Sequence, residues 1–484
     1  MKMMHIKRNE HFIAREFELS RLAGIQQLET SSLIVVYGRR RVGKTELLEQ
    51  AFRHRHILKF EGIEGKSETA QMALVMEQLA HYTGEPLLQK LSVHSWREVF
   101  QIIAKYIAKG EWTLYFEEIQ WLADYKTDFI AELKYVWDNY FRHNPKLILI
   151  LCGSSPSFII KQVLHSKSLY NRSQFDFPLN EFNLIETQKF LAKKARVEVL
   201  SAYLMVGGIP EYLRRLTRES SVLLAMCKNS FTQGSFFAHE YEKIFTSSLS
   251  NNPSYKKIIE YLAKNQFAAR NQIVNYLKLK SGGSLTSLLT DLEVCGFITR
   301  YAPYNLNSTS MLTRYAINDN YLQFYFKFIR PVAHEIENGT FNKRPLEALN
   351  LDNLQKWLGF AFERFCRKNH RMIANALGFG AVQYRSGAYF SRQTDNIPGY
   401  QLDLVFERKD QVYTVCEMKY SSNPIRANVI AEFDRKLESF QRKKNYTLQK
   451  VLITSAGVEQ SVINKHYFDR IITLDDLFDE KNLV

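Results

Sequence analysis

Ser32-Leu33-Ile34-Val35-Val36-Tyr37 runs directly into Gly38-Arg39-Arg40-Arg41-Val42-Gly43-Lys44-Thr45, and Glu46 to Arg53 continues in helical pattern. The first six residues form a continuous apolar, largely β-branched run. Such runs mark strands covered on both faces, as in a parallel α/β sheet. The next eight fit G-x-x-x-x-G-K-[ST] between a strand and a helix, the setting in which that pattern cradles a phosphate. Its glycines let backbone N–H groups turn toward the anion, and the helix start adds a positive dipole. Gly38, Arg39, Arg40, Arg41, Val42, Gly43, Lys44, Thr45 and Glu46 are therefore the candidate nucleotide-contacting residues. Lys44 would reach the β- and γ-phosphates, and the Thr45 hydroxyl would bind Mg²⁺.

Working outward, Trp112 to Phe116 and Leu147 to Cys152 are further apolar strand-like runs, with helical stretches such as Trp96 to Lys109 between them. The first ends in Glu117-Glu118. Glu117 would hold Mg²⁺ through water, in a place where Asp is usual, and Glu118 would align or deprotonate the attacking water. The second ends in Gly153-Ser154-Ser155, so Ser154 is placed to sense the γ-phosphate. Arg172 would lend positive charge to the transition state, in cis or from a neighbouring subunit.

Residues 1–180 thus read as a P-loop core, and 181–250 as a helical lid punctuated by Gly207-Gly208-Ile209-Pro210. Tyr255 to Lys264, Ala268 to Lys278 and Ser284 to Val294 read as three helices. Gly296 to Tyr301 and Leu312 to Ile317 read as a hairpin joined by Asn305 to Ser310. Three helices and then a hairpin describe a winged helix over 251–330. Residues 331–350 read as a linker, and 351–484 as a second α/β domain ending in helix Ile430 to Gln441, strand Leu448 to Thr454 and a strand near Ile471.

In that last domain Gln401 to Phe406 and Tyr413 to Lys419 flank a polar turn. A loop of Lys409-Asp410-Gln411 sets Asp403 opposite Glu417, where two carboxylates share one face and can hold a divalent cation. Lys419, two residues on, shares that face and could orient a water. A two-residue loop would send the acids to opposite faces, so the geometry hangs on the turn.

The chain has 65 Lys and Arg against 50 Asp and Glu, a formal net charge of +15, with 45% hydrophobic residues. These values exclude a mostly disordered chain and suggest an anionic partner. The densest basic segment is 251–330, with 10 Lys and Arg against 4 Asp and Glu; 351–484 carries 20 against 16. Lys256, Lys257, Arg270, Lys278 and Lys280 could contact DNA phosphates. The third helix offers Ser284, Thr286, Ser287 and Thr290 to bases, but also Asp291 and Glu293. No apolar run approaches the ~18 residues of a membrane span. The start, Met1 to Glu10, is polar, so a secretory leader is not expected. Five scattered cysteines suit a reducing cytoplasm without a disulfide framework or zinc site.

Phe12-Ile13-Ala14-Arg15-Glu16-Phe17-Glu18-Leu19, the GRRRVGKTEL stretch, Glu117 to Leu122, Cys152 to Ser155 and Gly207 to Leu213 together resemble the prokaryotic, archaeal-type AAA-like P-loop ATPases. These are relatives of the signal-transduction ATPases with numerous domains. The resemblance spans roughly residues 10–330, with Ala14 replacing the usual Gly and Glu117 the usual Asp. It implies that Pro210 and the opening segment surround the adenine. Residues 351–484 look like a PD-(D/E)xK nuclease domain. That resemblance carries over Asp403 and Glu417 as metal ligands and Lys419 as catalytic lysine, and adds Glu363 from the preceding helix.

The expectation is therefore a multidomain cytoplasmic α/β protein: a P-loop parallel α/β ATPase core, helical lid, winged helix and C-terminal restriction-endonuclease-like domain. ATP and Mg²⁺ serve the first site, with Mg²⁺ or Mn²⁺ at the second. DNA and a second copy of the chain are the expected partners, with no membrane. The rival reading is a nucleotide-dependent DNA- or protein-binding switch whose nuclease-like domain is catalytically silent.

Overall fold

The computed structural model describes residues 6–483 apart from 127, 166–172, 174, 250–251, 266, 279–282, 302–303, 305–313 and 392–399. Arg172, Lys280 and the segment from Asn305 to Ser310 lie outside the described residues. The chain divides into two compact units. The first is Met1–Glu181 with Glu242–Asn252 and Ser287–Cys295; the second is Phe182–Tyr241, Pro253–Thr286 and Gly296–Val484.

The first unit is built on β1 (Ser32–Tyr37), β2 (His56–Glu61), β3 (Trp112–Glu117), β4 (Ile148–Gly153) and β5 (Phe175–Pro178), ordered β2-β3-β4-β1-β5. Every neighbouring pair is parallel. Alternation along the strands divides the core into two layers. Leu33, Val35, Phe60, Phe116 and Leu151 pack beneath helices Glu68–Thr83, Trp96–Tyr106 and Asp128–Asn139. Ile34, Val36, Ile57, Ile150 and Cys152 pack beneath Glu16–Gln26 and Lys44–Phe52. The parallel arrangement brings the carboxyl ends of β1, β3 and β4 to one edge, where ligands bind in open α/β sheets. The apolar-run reading identified β1, β3 and β4. It passed over β2 and β5, which are the sheet's edges and carry exposed polar residues within their runs.

In the second unit, helix Leu184–Phe190 opens on a reciprocal cap between Asn183 and Glu186. Helices Arg196–Val206, Pro210–Leu216 and Val222–Phe231 follow. Further on come helices Ser254–Asn265 and Arg270–Leu277, with β6 (Ala268–Ala269), β7 (Ile298–Tyr301) and β8 (Arg314–Ile317) in an antiparallel sheet ordered β6-β8-β7. The helix expected from Ala268 begins instead at Arg270, because Ala268 and Ala269 pair with Tyr315 and Arg314.

The C-terminal portion sets helix Leu351–Lys368 and helix Asn428–Glu438 around a mixed sheet. Its strands are β9 (Tyr384–Ser391), β10 (Tyr400–Arg408), β11 (Val412–Lys419), β12 (Thr447–Thr454) and β13 (Arg470–Ile472), ordered β13-β12-β11-β10-β9. β9, β10 and β11 are antiparallel neighbours, while β12 and β13 join in parallel. The β10–β11 turn spans Lys409 to Gln411, with Gln411 at φ 65. A three-residue loop ending in a left-handed residue is a favoured hairpin closure.

The five cysteines are all buried. No described helix is long and apolar enough to cross a membrane.

Candidate functional sites

The first site starts from the loop after β1. Arg41 and Gly43 hold left-handed φ values of 72 and 90, which turns successive amides inward. Gly38 sits against β5, where a Cβ would run into the carbonyl oxygen of Leu179. Only glycine allows that approach. Lys44 is buried and folds back across the loop, with Nζ donating to the carbonyls of Gly38 at 3.0 Å and Arg39 at 3.1 Å. The ammonium is thereby held over the cradle where phosphate charge would lie.

Thr45, on the first turn of the following helix, donates its hydroxyl to Oε1 of Glu117 at the end of β3. Oε2 of Glu117 pairs with Lys59 of β2 at 2.6 Å, and Lys59 also pairs with Glu49 at 3.0 Å. Burial alone would lower the Lys59 pKa; Glu117 and Glu49 outweigh it and hold the ammonium well above its ordinary value. The adjacent Glu61 carboxyl is pushed up, first by burial and then by Glu117.

Glu118 takes a left-handed conformation at φ 51, which separates its side chain from that of Glu117. Its Oε2 accepts from the Ser154 amide at 2.9 Å, the Ser154 hydroxyl at 2.7 Å and Gln120 Nε2 at 2.7 Å. Gln120 also donates to Ser154 Oγ at 3.2 Å. The structure thus brings together Lys44, Thr45, Glu117, Glu118 and Ser154 at one edge. Val42 is buried beneath the loop, while Arg40 is exposed. Glu46 accepts from the Asn9 side chain at 2.8 Å. Pro210 heads its own helix in the second unit.

The second site lies on the mixed sheet. Leu404 faces Cys416, and the same register carries Asp403 opposite Glu417, the arrangement expected for a three-residue turn. Asp403 is buried; its Oδ2 accepts from the Met418 amide at 3.0 Å and its Oδ1 from Gln401 at 3.4 Å. Burial, then Glu417 and Glu363, push the Asp403 carboxyl up to about 7. Glu363 accepts from Arg367 at 3.3 Å and from Gln401 at 3.4 Å. Lys419 lies 3.0 Å from Glu417 Oε1 and 3.4 Å from Glu432. Glu363, Asp403, Glu417 and Lys419 therefore form one cluster. Lys436, from helix Asn428–Glu438, completes it by holding both oxygens of Glu417 at 2.8 Å. Among the described residues, no three His, Cys, Asp or Glu side chains stand in a metal-holding group.

On the third helix, Ser287, offered for base contact, and the neighbouring acid Asp291 are already engaged within the first unit. Asp291 accepts from Ser157 and Lys161 at 2.6 Å each, and Ser287 accepts from Lys161 at 3.1 Å.

Residues 12–216 match the family model described as an ATPase domain predominantly from Archaea. They are an ATPase domain of the archaeal type. An uncharacterized protein of Methanocaldococcus jannaschii is 27% identical over 360 residues, covering 74% of this chain and 76% of that one. A Walker-type ATPase of Pyrococcus abyssi is 20% identical, covering 66% of this chain and 97% of that one with a TM-score of 0.47. The ORC2 protein of Aeropyrum pernix, in ADPNP and ADP complexes, is 13% identical, covering 69% and 98% with a TM-score of 0.46.

Within the ATPase domain, sequence reasoning assigned no role to Lys59 or Gln120, and to Arg15 only its place in the opening segment expected around the adenine. Arg15 is buried at φ 69 and donates to the carbonyls of Val42 at 3.0 Å and Asn180 at 2.7 Å. It pins the loop from beneath. Its available signal was the opening segment it shares with the ATPase family. Lys59 had one too, as a lone lysine inside an otherwise apolar run. Lys436 had none, since an amphipathic helix shows many lysines.

Proposed function

We propose that this chain is an Mg²⁺-dependent ATPase whose nucleotide cycle governs a C-terminal restriction-endonuclease-like domain acting on DNA. The observation that carries the first half is the meeting of Thr45 Oγ1 with Glu117 Oε1 beside the loop. Two hard oxygens at the mouth of a phosphate cradle suit Mg²⁺. Thr45 would hold the ion directly and Glu117 through water, and the ion would draw charge off the phosphates. Lys44 neutralises the β- and γ-phosphates. Glu118 takes the proton of the attacking water as the new O–P bond forms and the bond to ADP breaks. Ser154, tied to Glu118, relays the presence of the γ-phosphate. Arg172 would supply charge at the transition state, from this chain or a second copy, and Pro210 would border the adenine.

The second half rests on the grouping of Asp403, Glu417, Glu363 and Lys419. Asp403 and Glu417 carry the donor chemistry of a divalent-cation site, with Glu363 in support. Such an ion would activate water and neutralise the scissile phosphate. Lys419 would orient that water.

One observation favours the alternative, a nucleotide-dependent binding switch with a silent C-terminal domain. Both Glu417 oxygens are occupied by Lys436, so a cation must first displace an ammonium.

ATP turnover by purified protein, abolished by Lys44→Ala, tests the first half. Turnover unchanged by that substitution overturns it. Incubation of DNA with Mg²⁺ or Mn²⁺ tests the second. Cleavage lost in Asp403→Ala and Lys419→Ala supports the nuclease, and ATP-dependent DNA retention without cleavage supports the switch.

A further inference from the structure

Glu117 is one methylene longer than the Asp usual at its position, and a longer side chain has more ways to point. The structure shows what removes that freedom. Lys59 rises from β2 at the register position two before Glu61, which pairs with Glu117 across to β3. Its Nζ binds Glu117 Oε2 at 2.6 Å and Glu49 Oε1 at 3.0 Å. Glu49 belongs to the helix that begins at Lys44. The ring of Tyr115 lies 5.5 Å from the same ammonium. All three ion-pair partners are at most one-fifth exposed, so solvent screening is reduced. One cation therefore ties β2, β3 and the phosphate-loop helix together at the carboxylate.

We infer that Lys59 is a positioning residue for the nucleotide site. It occupies one oxygen of Glu117 and leaves the other facing Thr45, which sets where Mg²⁺ binds and tempers how tightly. The inference rests on the reading of Thr45 and Glu117 as the Mg²⁺-binding pair. Two effects oppose each other here. A fixed ammonium beside the carboxylate repels an incoming cation, so it weakens metal binding. The same ammonium holds the carboxylate in one geometry, so it speeds turnover. A residue that merely supported the fold would not separate these two quantities.

The test is a Mg²⁺ titration of fluorescent ATP-analogue binding, run beside steady-state turnover, on the full chain. In Lys59→Met the Mg²⁺ midpoint is expected to fall about tenfold, because a nearby positive charge has gone. Turnover at saturating Mg²⁺ is expected to fall about tenfold as well. Lys59→Arg, which keeps the charge, should restore the midpoint and recover part of the turnover. If Lys59→Met does not fold, Glu49→Gln carries the test: it leaves the Lys59 charge less compensated beside Glu117, so the Mg²⁺ midpoint should rise while Mg²⁺-free nucleotide binding is unchanged. An unchanged midpoint in Lys59→Met, or in Glu49→Gln where it stands in for it, overturns the inference. So does a midpoint that rises in parallel with a loss of Mg²⁺-free nucleotide binding. Thr45→Ala and Glu117→Gln run alongside. If neither alters the Mg²⁺ midpoint, the metal-site reading itself is wrong. If they do and Lys59→Met does not, only the role of Lys59 is.

Discussion

Lys436 Nζ sits 2.8 Å from each carboxylate oxygen of Glu417, a residue almost wholly buried on β11. Removing one partner of such a pair leaves a buried charge with less compensation, which costs about 3 kcal/mol. Lys419 at 3.0 Å offsets part of that. Lys436→Met is therefore expected to lower stability in urea denaturation by about 2–3 kcal/mol. Adding Glu417→Gln should recover most of the loss. A double variant no more stable than Lys436→Met alone would show that the helix packing, not the charge, is what Lys436 supports.

The Asp403 carboxyl, raised to about 7, makes the C-terminal unit sensitive to pH. The native state holds this proton at pH values where an unfolded aspartate, near 3.9, has released it. Its stabilising contribution is complete below about pH 4 and is lost as pH rises toward and through 7. Wild type should therefore lose more stability than Asp403→Asn between pH 4.5 and 8, compared by denaturant midpoints. A divalent cation that binds the site should pull the titration to lower pH and flatten the difference. Identical pH profiles for the two proteins would mean that Asp403 is ionised throughout.

Glu118 is held by the amide and hydroxyl of Ser154 and by Gln120. Glu118→Gln keeps the shape and removes the base. Turnover should drop by about a hundredfold or more, with affinity for ATP within about threefold of wild type, as measured by equilibrium nucleotide binding and phosphate release. A matched loss of affinity would assign Glu118 to binding instead.

Gly38→Ala places a methyl group against the Leu179 carbonyl. The loop or β5 must then shift, at a cost of about 2 kcal/mol. Nucleotide affinity is expected to fall with thermal stability. Gly24→Ala, where nothing lies within 4 Å of the added carbon, is the control and should leave both unchanged or slightly improved.

The two sites differ in how far they could be read without a structure. The nucleotide loop is contiguous, and its conformation follows from a strand, two glycines and a helix start within fourteen residues. Local chemistry alone decides it. The β10–β11 hairpin was open by one residue, because side-chain facing reverses with register. Gln411 at φ 65 resolves it in favour of Asp403 opposite Glu417.

Charge partners were beyond reach altogether. Lys59 precedes Glu117 by 58 positions, Arg15 reaches Val42 and Asn180, and Lys436 approaches Glu417 from a separate helix. The sequence by itself determined the phosphate loop, the apolar strands behind it and the acid-bearing strand ends, since each depends on near neighbours and on burial periodicity. Only the tertiary structure decided which cation meets which carboxylate. Ion pairing needs a few ångströms of proximity, and proximity between distant segments is set by the order of strands in a sheet, which no local pattern encodes.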